Sequence, residues 1–207
     1  MPLTEVQSER YAIRELLDNW AVWRDSTDWE RFATVWHPEG RMWATWFQGT
    51  YQEFIDANKA GFAKGVRILH FMGGTSTDLA LGHQPNPRAV AQTKMTINQR
   101  ATVHGVEVDV LCTGRFYDFL EKRDGKWGFV LRRLVYEKDR MDPVDPSQIL
   151  KLDQELLMSM PIGYRHLGYL QATYGYRIKS DMPGLVGPEV DALYALGQGW
   201  LEGKPCL

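Results

Sequence analysis

Three side chains in this sequence have the chemistry to move or hold a proton in a buried site. His70 lies in a strand-like stretch, and a neutral imidazole accepts protons near neutral pH because its pKa lies close by. Arg24 falls on the apolar face of a first helix, and Asp25 follows it. A buried arginine needs an anionic or polar partner. Arg24 is therefore either a structural partner of Asp25 or Glu39, or a group that stabilises a developing oxyanion.

The elements that must position these residues begin as helices. Thr4 and Thr50 each open a capping box, which predicts a helix after each of them. We also predict a short helix over residues 28–35, a turn at His37-Pro38-Glu39-Gly40 and a strand over residues 41–47.

From residue 66 the hydrophobic period becomes that of strands, which we predict over residues 68–81, 88–103, 106–121 and 126–138. His104-Gly105 and Asp124-Gly125 join strands as hairpin turns, and Gly73-Gly74 predicts a bulge. Helices followed by an antiparallel meander indicate an α+β fold, with a bent antiparallel sheet wrapped around the N-terminal helices.

Composition divides the chain into a domain over residues 1–145 and a C-terminal extension over residues 146–207. Residues 139–146 have the composition of a linker, and Asp145 with Pro146 predicts the start of another helix. One face of that helix would carry Ile149, Asp153, Leu156, Leu157 and Met160. The rest of the extension is apolar, and we expect it to pack on the domain or on a neighbouring subunit.

Charge and motifs argue against several classes of partner. The net charge is −2, with no basic stripe for nucleic acid, and no apolar run is long enough to span a membrane. No signal peptide, metal-ligand spacing, glycine-rich nucleotide loop or P-loop is present, so we expect a cytoplasmic protein without metal or cofactor. Eight Trp and nine Tyr are unusually many for this length; such large rings build cores, and they also line pockets for flat ligands, so a small aromatic substrate is the partner we expect.

Three segments occur in an order that carries a family resemblance: WRDSTDWERFATVWHPEGRMW (23–43), HFMGGT (70–75) and YDFLEKRDGKWGF (117–129). They resemble the SnoaL-like branch of the NTF2-like superfamily. The chain is similar to scytalone dehydratases and to the sphingomonad diarylpropane lyases, which act on lignin-derived dimers. This resemblance implies a cone-shaped cavity, an enzyme that needs no cofactor, and a homo-oligomer, either a dimer or a trimer.

The resemblance also implies roles for single residues. The catalytic strand histidine of the family matches His70, and its carboxylate after the first helix matches Asp25, which would orient the imidazole. Arg24 and Ala44 stand where scytalone dehydratases have two tyrosines. The pair of tyrosines that holds a water molecule in that family is therefore absent here. A second family histidine falls near Asn98. The family's serine and asparagine on the next strand fall near Gly114 and Phe116.

The catalytic residues predicted are thus His70, Asp25 and Arg24. The substrate-binding residues predicted are Asn98, Trp43, Trp46, Phe47, Phe116 and Tyr136. The competing interpretation is structural: His70 would be a core histidine, Asp25 a helix cap, and the rings ordinary core. We expect His37, His83 and His104 to be solvated in turns. The C-terminal aromatic residues would line a subunit interface or close the pocket: Tyr164, His166, Tyr169, Tyr174 and Tyr176.

These residues predict a lyase that acts on a phenolic aromatic molecule. The expected reaction is loss of water and formaldehyde from a lignin-derived diarylpropane diol, which gives a stilbene. The first alternative is a scytalone-dehydratase-like dehydratase of a hydroxylated aromatic or polyketide. The alternative from another class is a non-catalytic NTF2-like binding module or an oxygenase small subunit.

Overall fold

The computed structural model describes residues 4–82 and 85–207. Its elements are given in chain order: α1 Glu5–Asp25, α2 Trp29–Ala33, β1 Trp36–Trp43, β2 Gln48–Thr50, α3 Tyr51–Ala63, β3 Arg67–Ala80, β4 Arg88–Val103, β5 Val106–Arg123, β6 Lys126–Pro143, α4 Gln154–Ser159, a 3₁₀ helix Ile162–Tyr164, α5 Arg165–Thr173 and α6 Pro188–Leu201. The α+β prediction is confirmed. No helix within the described ranges is long and apolar enough to cross a membrane.

The six strands form one curved sheet in the order β2-β1-β6-β5-β4-β3. All neighbours are antiparallel except β1 and β6, which are parallel. Register shifts occur on β3 between Met72 and Thr75, around Gly73-Gly74 as predicted, and twice between β5 and β6. Bulges of this kind bend strands and increase twist, so the sheet curls around the helices.

Local sequence explains the element ends. The capping boxes at Thr4 and Thr50 are both formed. His104-Gly105 and Asp124-Gly125 have positive φ at both positions, as a two-residue hairpin of this kind requires. The predicted turn at residues 37–40 is wrong, because His37 is buried and bonds the Glu121 carbonyl, which holds this segment in β1.

The linker predicted over residues 139–146 is wrong, and the helix predicted after it begins later, at Gln154. Strand β6 continues to Pro143, and Asp139 accepts a hydrogen bond from the Leu167 backbone N–H at 2.7 Å. Asp145 caps only a turn at Ser147, whereas Asp153 caps α4. The extension packs on its own domain: α5 closes the cone on the inner side, and α6 covers the outer face of the sheet.

Helix α6 lies close to the sheet because of one glycine. A Cβ on Gly197 would lie 1.9 Å from the Tyr117 hydroxyl oxygen and 2.8 Å from the ring. We expect Gly197→Ala to lower the free energy of unfolding by about 1–3 kcal/mol, as overpacking does.

Gly199→Ala in the same helix is the matched control. Its Cβ would meet only the flexible Lys204 side chain, at 3.3 Å, so alanine should be neutral or stabilising by up to about 1 kcal/mol. Urea denaturation of both variants measures this. Equal stability of the two would contradict the close packing of α6.

Candidate functional site

A carboxylate joins the end of α1 to strand β3. Asp25 Oδ2 accepts a hydrogen bond from the His70 backbone N–H at 2.5 Å, and Oδ1 lies 2.9 Å from His70 Nδ1. An ionised carboxylate only accepts hydrogen bonds, so Nδ1 carries the ring proton. Nε2 bonds to no described residue, and the ring lines a cavity. This arrangement leaves a lone pair available to a ligand.

His70 and Asp25 both have the charge state that general-base catalysis by His70 requires. Burial lowers the pKa of His70 below its ordinary value of 6.5; Asp25 opposes this, and Arg24 and Arg132 add to it. The imidazole is therefore neutral at pH 7. Burial would raise the pKa of Asp25, but His70 and Arg24 outweigh it and hold this pKa below its ordinary value, so the carboxylate is ionised.

Arg24 is buried and bonded on two sides. Its Nη1 donates to Asp25 at 3.0 Å, and its Nη2 donates to the Asn58 side-chain oxygen at 2.6 Å. Its Nε is buried and has no partner in the described chain. The pair with Asp25 is the structural role predicted, whereas Glu39 pairs with Arg123 instead. Arg24 also lines the cavity, so its charge is available to a bound oxygen.

A second buried ion pair lies against two aromatic rings, Trp20 and Phe116, that line the same cavity as His70. Arg132 donates to both carboxylate oxygens of Asp118, at 2.6 and 2.8 Å, and neither side chain is exposed. The guanidinium lies 4.0–4.4 Å from the ring centres of Trp20, Phe116 and Phe129. The charge of Arg132 lowers the pKa of His70 slightly further, after the larger effects of burial and of Arg24.

Two small chambers meet at this site. The inner chamber has a volume of about 30 Å³ and contacts His70, Phe116 and Tyr136. The outer chamber is of the same size and lies among α3, β4 and residues 171–176. Four side chains line both chambers and separate them: Arg24, Trp46, Ile68 and Gln171.

The structure therefore brings together six of the nine predicted site residues. Five line the inner chamber: Arg24, Trp46, His70, Phe116 and Tyr136. Asp25 lies directly behind His70. Phe47 stands one layer back, with its ring 5.6 Å from Trp46 and 5.3 Å from Phe54.

Asn98 and Trp43 do not face the cavity, so their prediction as substrate-binding residues is wrong. Asn98 is exposed on the outer face of β4, together with Lys94, while Ile97 and Gln99 point inward. Trp43 also faces outward, where it packs near α6 and lies 4.9 Å from the Arg133 guanidinium. Both errors have one physical cause: neighbouring strand residues point to opposite faces, so an error of one residue reverses the side.

The other histidines and the C-terminal aromatic residues lie in different environments. His37 is buried, which contradicts the prediction, whereas His104 is exposed in the β4–β5 turn as expected, with its Nε2 2.7 Å from the Tyr169 hydroxyl oxygen. His83 lies outside the described residues. His166 pairs with Asp139. Tyr164 is buried within this chain, whereas Tyr174 and Tyr176 line the outer chamber.

Sequence reasoning missed three polar residues near the chambers. Asn58 had a signal in the sequence, since it is a polar residue at helical spacing between Phe54 and Phe62, and in the structure it accepts a hydrogen bond from Arg24. Gln99 differs from the predicted Asn98 by one strand position. Gln171 had no signal, because the extension lacks clean periodicity; its side-chain oxygen accepts from the Thr45 hydroxyl at 2.7 Å.

This chain belongs to the SnoaL-like domain family, whose model matches residues 5–133. A PEP2-like protein of Fusarium vanettenii is 43% identical over 205 residues, which cover 95% of this chain and 87% of that protein. Pea pathogenicity protein 2 of the same fungus is 42% identical, with the same coverage. An uncharacterised protein of Emericella nidulans is 40% identical over 210 residues, which cover 95% of this chain and 87% of that one. These matches extend beyond the domain into the C-terminal extension.

Solved structures show the same NTF2-like fold. A candidate scytalone dehydratase of Novosphingobium aromaticivorans aligns over 70% of this chain and 96% of its own, with a TM-score of 0.54 and 17% identity. A hexachlorocyclohexane dehydrochlorinase of Novosphingobium barchaimii aligns over 70% and 96%, with a TM-score of 0.50 and 15% identity. At these identities the likeness establishes the fold.

Replacing Asp25 should be costly, because Arg24 would remain buried without its counter-charge. We expect Asp25→Asn to lower the free energy of unfolding at pH 7 by about 3–5 kcal/mol. The folded-state pKa of Asp25 lies below 3.8, so this contribution is complete above pH 3.8 and is lost as the pH falls through the folded-state pKa.

Asp18→Asn on the same helix is the matched control. Asp18 pairs with Arg14 at 2.8 Å on the surface, where ion pairs contribute up to about 1 kcal/mol. Guanidinium denaturation at pH 7 measures both variants. A similar loss in the two would contradict the central position of Asp25.

Proposed function

We propose that this protein is a cofactor-independent lyase in which neutral His70 takes a proton from a substrate held inside the cone. The observation that carries this proposal is the orientation of His70: Asp25 occupies Nδ1, and the ring faces the inner chamber. General-base catalysis needs a base whose unprotonated form is populated at the working pH, and the lowered pKa of His70 provides it.

Two groups can stabilise oxygen atoms of the substrate. Arg24 supplies positive charge at the boundary of the two chambers. The Tyr136 hydroxyl accepts a hydrogen bond from the Thr45 backbone N–H at 3.3 Å, which leaves its own hydrogen for a ligand. Burial raises the pKa of Tyr136, so the phenol stays protonated and acts as a donor. Tyr136, which is also among the predicted substrate-binding residues, would provide the polar contact that the outward-facing Asn98 does not make.

The finer proposal concerns the substrate, a phenolic diarylpropane diol. His70 takes the proton of the primary alcohol, and the bond between that carbon and the chain breaks to release formaldehyde. The electron pair of that bond forms the stilbene double bond while the benzylic hydroxyl departs, assisted by a para phenol. The proton held by His70 converts the departing hydroxide to water, so the histidine ends neutral.

The names of two structural neighbours support elimination as the class of reaction. One is described as a candidate scytalone dehydratase and the other as a dehydrochlorinase. Loss of water and loss of hydrogen chloride both require removal of a proton and departure of a leaving group. The His70–Asp25 pair is suited to the first of these steps.

Dehydration of a compact hydroxylated aromatic is the second candidate, and the size of the inner chamber favours it. A volume of about 30 Å³ holds one or two waters, so a diaryl substrate requires the two chambers to merge. A compact substrate would need less displacement of Trp46 and Gln171.

The direct test is incubation with 1,2-bis(4-hydroxy-3-methoxyphenyl)propane-1,3-diol and no added cofactor. We expect the stilbene, followed by its absorbance, and formaldehyde to be formed in equal molar amounts. A hydroxynaphthalenone is assayed in parallel. Turnover of that compound alone would show that the reaction is dehydration and not deformylation. Turnover of neither compound would contradict the proposed lyase.

The His70→Gln variant should lose at least about 100-fold in kcat/KM, the lower range for a general base, with its thermal midpoint nearly unchanged. His104→Asn is the matched control: it removes a histidine from the β4–β5 turn, and asparagine tolerates the positive φ there. Its activity should be retained. A folded His70→Gln protein with full activity would show that His70 is only a core residue.

A further inference from the structure

Gln99 is a buried amide that the proposed lyase chemistry does not use. It is 2% exposed and lines the outer chamber. Its register partner on β3 is Ile68, one of the residues that separate the two chambers. No hydrogen bond joins its side chain to residues 4–82 or 85–207. Its amide atoms are not sealed in the core without partners, as the Arg24 Nε is, so they open onto the chamber, where a ligand group can bond them.

The other buried amides nearby are different. Asn58 is satisfied, since its oxygen accepts from Arg24 and its nitrogen donates to the Phe54 carbonyl, both at 2.6 Å. Gln171 is half satisfied: its oxygen accepts from Thr45 at 2.7 Å, and its nitrogen has no partner within the described chain. Gln99 alone among the three keeps both its donor and its acceptor free.

The surroundings of Gln99 define the ligand chemistry. Aromatic rings of Trp46, Phe62, Tyr174 and Tyr176 line the same chamber. Arg24 is paired with Asp25, so the chamber does not require an anionic ligand, although the guanidinium can still donate to a neutral oxygen. An amide with a free donor and a free acceptor suits a hydroxyl group, which also donates and accepts.

The two chambers are separated by residues from different elements. Gln171 comes from α5, and Trp46 lies between β1 and β2. Rotation of these side chains would join the space beside His70 to the space beside Gln99. A ligand that spans both would place its reacting end at His70 and its far end at Gln99.

We propose that Gln99 is a specificity-determining residue that binds a hydroxyl on the far end of a neutral aromatic substrate, away from the bond that His70 breaks. This inference rests on the proposed function, whose site it extends to the outer chamber. The substrate is therefore oxygenated at both ends of an apolar skeleton. A molecule without the far hydroxyl would leave Gln99 unpaired and bind more weakly.

Equilibrium binding tests this without turnover. The probes are 4,4′-dihydroxystilbene and 4-hydroxystilbene, followed by quenching of tryptophan fluorescence. We expect the wild-type protein to bind the dihydroxy compound at least about 10-fold more tightly, the factor for 1.4 kcal/mol, within the range for a buried polar group left unpaired. In Gln99→Met, which keeps the length but removes the amide, the ratio should fall to about 1.

Asn98→Leu is the matched control, because it removes the neighbouring amide from the outer face. It should keep the wild-type ratio. A wild-type ratio near 1, an unchanged ratio in Gln99→Met, an equal change in Asn98→Leu, or failure of both stilbenes to bind would each overturn the proposal. Selective binding together with no turnover of the diol would instead count against the lyase and leave the role of Gln99 standing.

Discussion

The structure around the site depends on one carboxylate. Asp25 is the last residue of α1, and it accepts hydrogen bonds from the backbone N–H of His70, from the His70 ring and from Arg24. These contacts fix where the helix ends against β3, which nitrogen of the imidazole is free, and how a buried guanidinium is neutralised. Burying an arginine is expensive without a partner, and orienting a histidine without one is imprecise. Asp25 both neutralises Arg24 and orients His70, and these two residues line the cavity.

Positive charge near the histidine is the second feature of the site. Arg24 lines the same cavity as His70, and the Arg132–Asp118 pair lies against two of the aromatic rings of that cavity, Trp20 and Phe116. Burial and the two arginines keep the imidazole neutral, while Asp25 limits how far its pKa falls. A neutral base next to fixed positive charge suits a reaction in which a proton leaves and negative charge develops on oxygen. The same arrangement lowers the basicity of His70, so its proton is easily passed on to a leaving group.

Much of the fold could be predicted from the sequence because its signals are local. Capping boxes at Thr4 and Thr50, glycine turns and the change of hydrophobic period placed most helices and strands correctly. The motif HFMGGT (70–75) identified His70 as a candidate site residue. Asn98 and Trp43 were misplaced because a strand exposes alternate faces, and the parity of a bulged strand depends on pairing that sequence does not reveal. Gln171 could not be found, since it reaches the site only because α5 folds back across the cone and bonds Thr45.

The proposed base is the unprotonated Nε2 of His70, which faces the cavity at neutral pH. Measuring the ¹⁵N chemical shifts of the two ring nitrogens at pH 7.5 tests this most directly. We predict a neutral ring with the proton on Nδ1, held by Asp25, and an unprotonated Nε2. A proton on Nε2, in either a neutral or a doubly protonated ring, would contradict it.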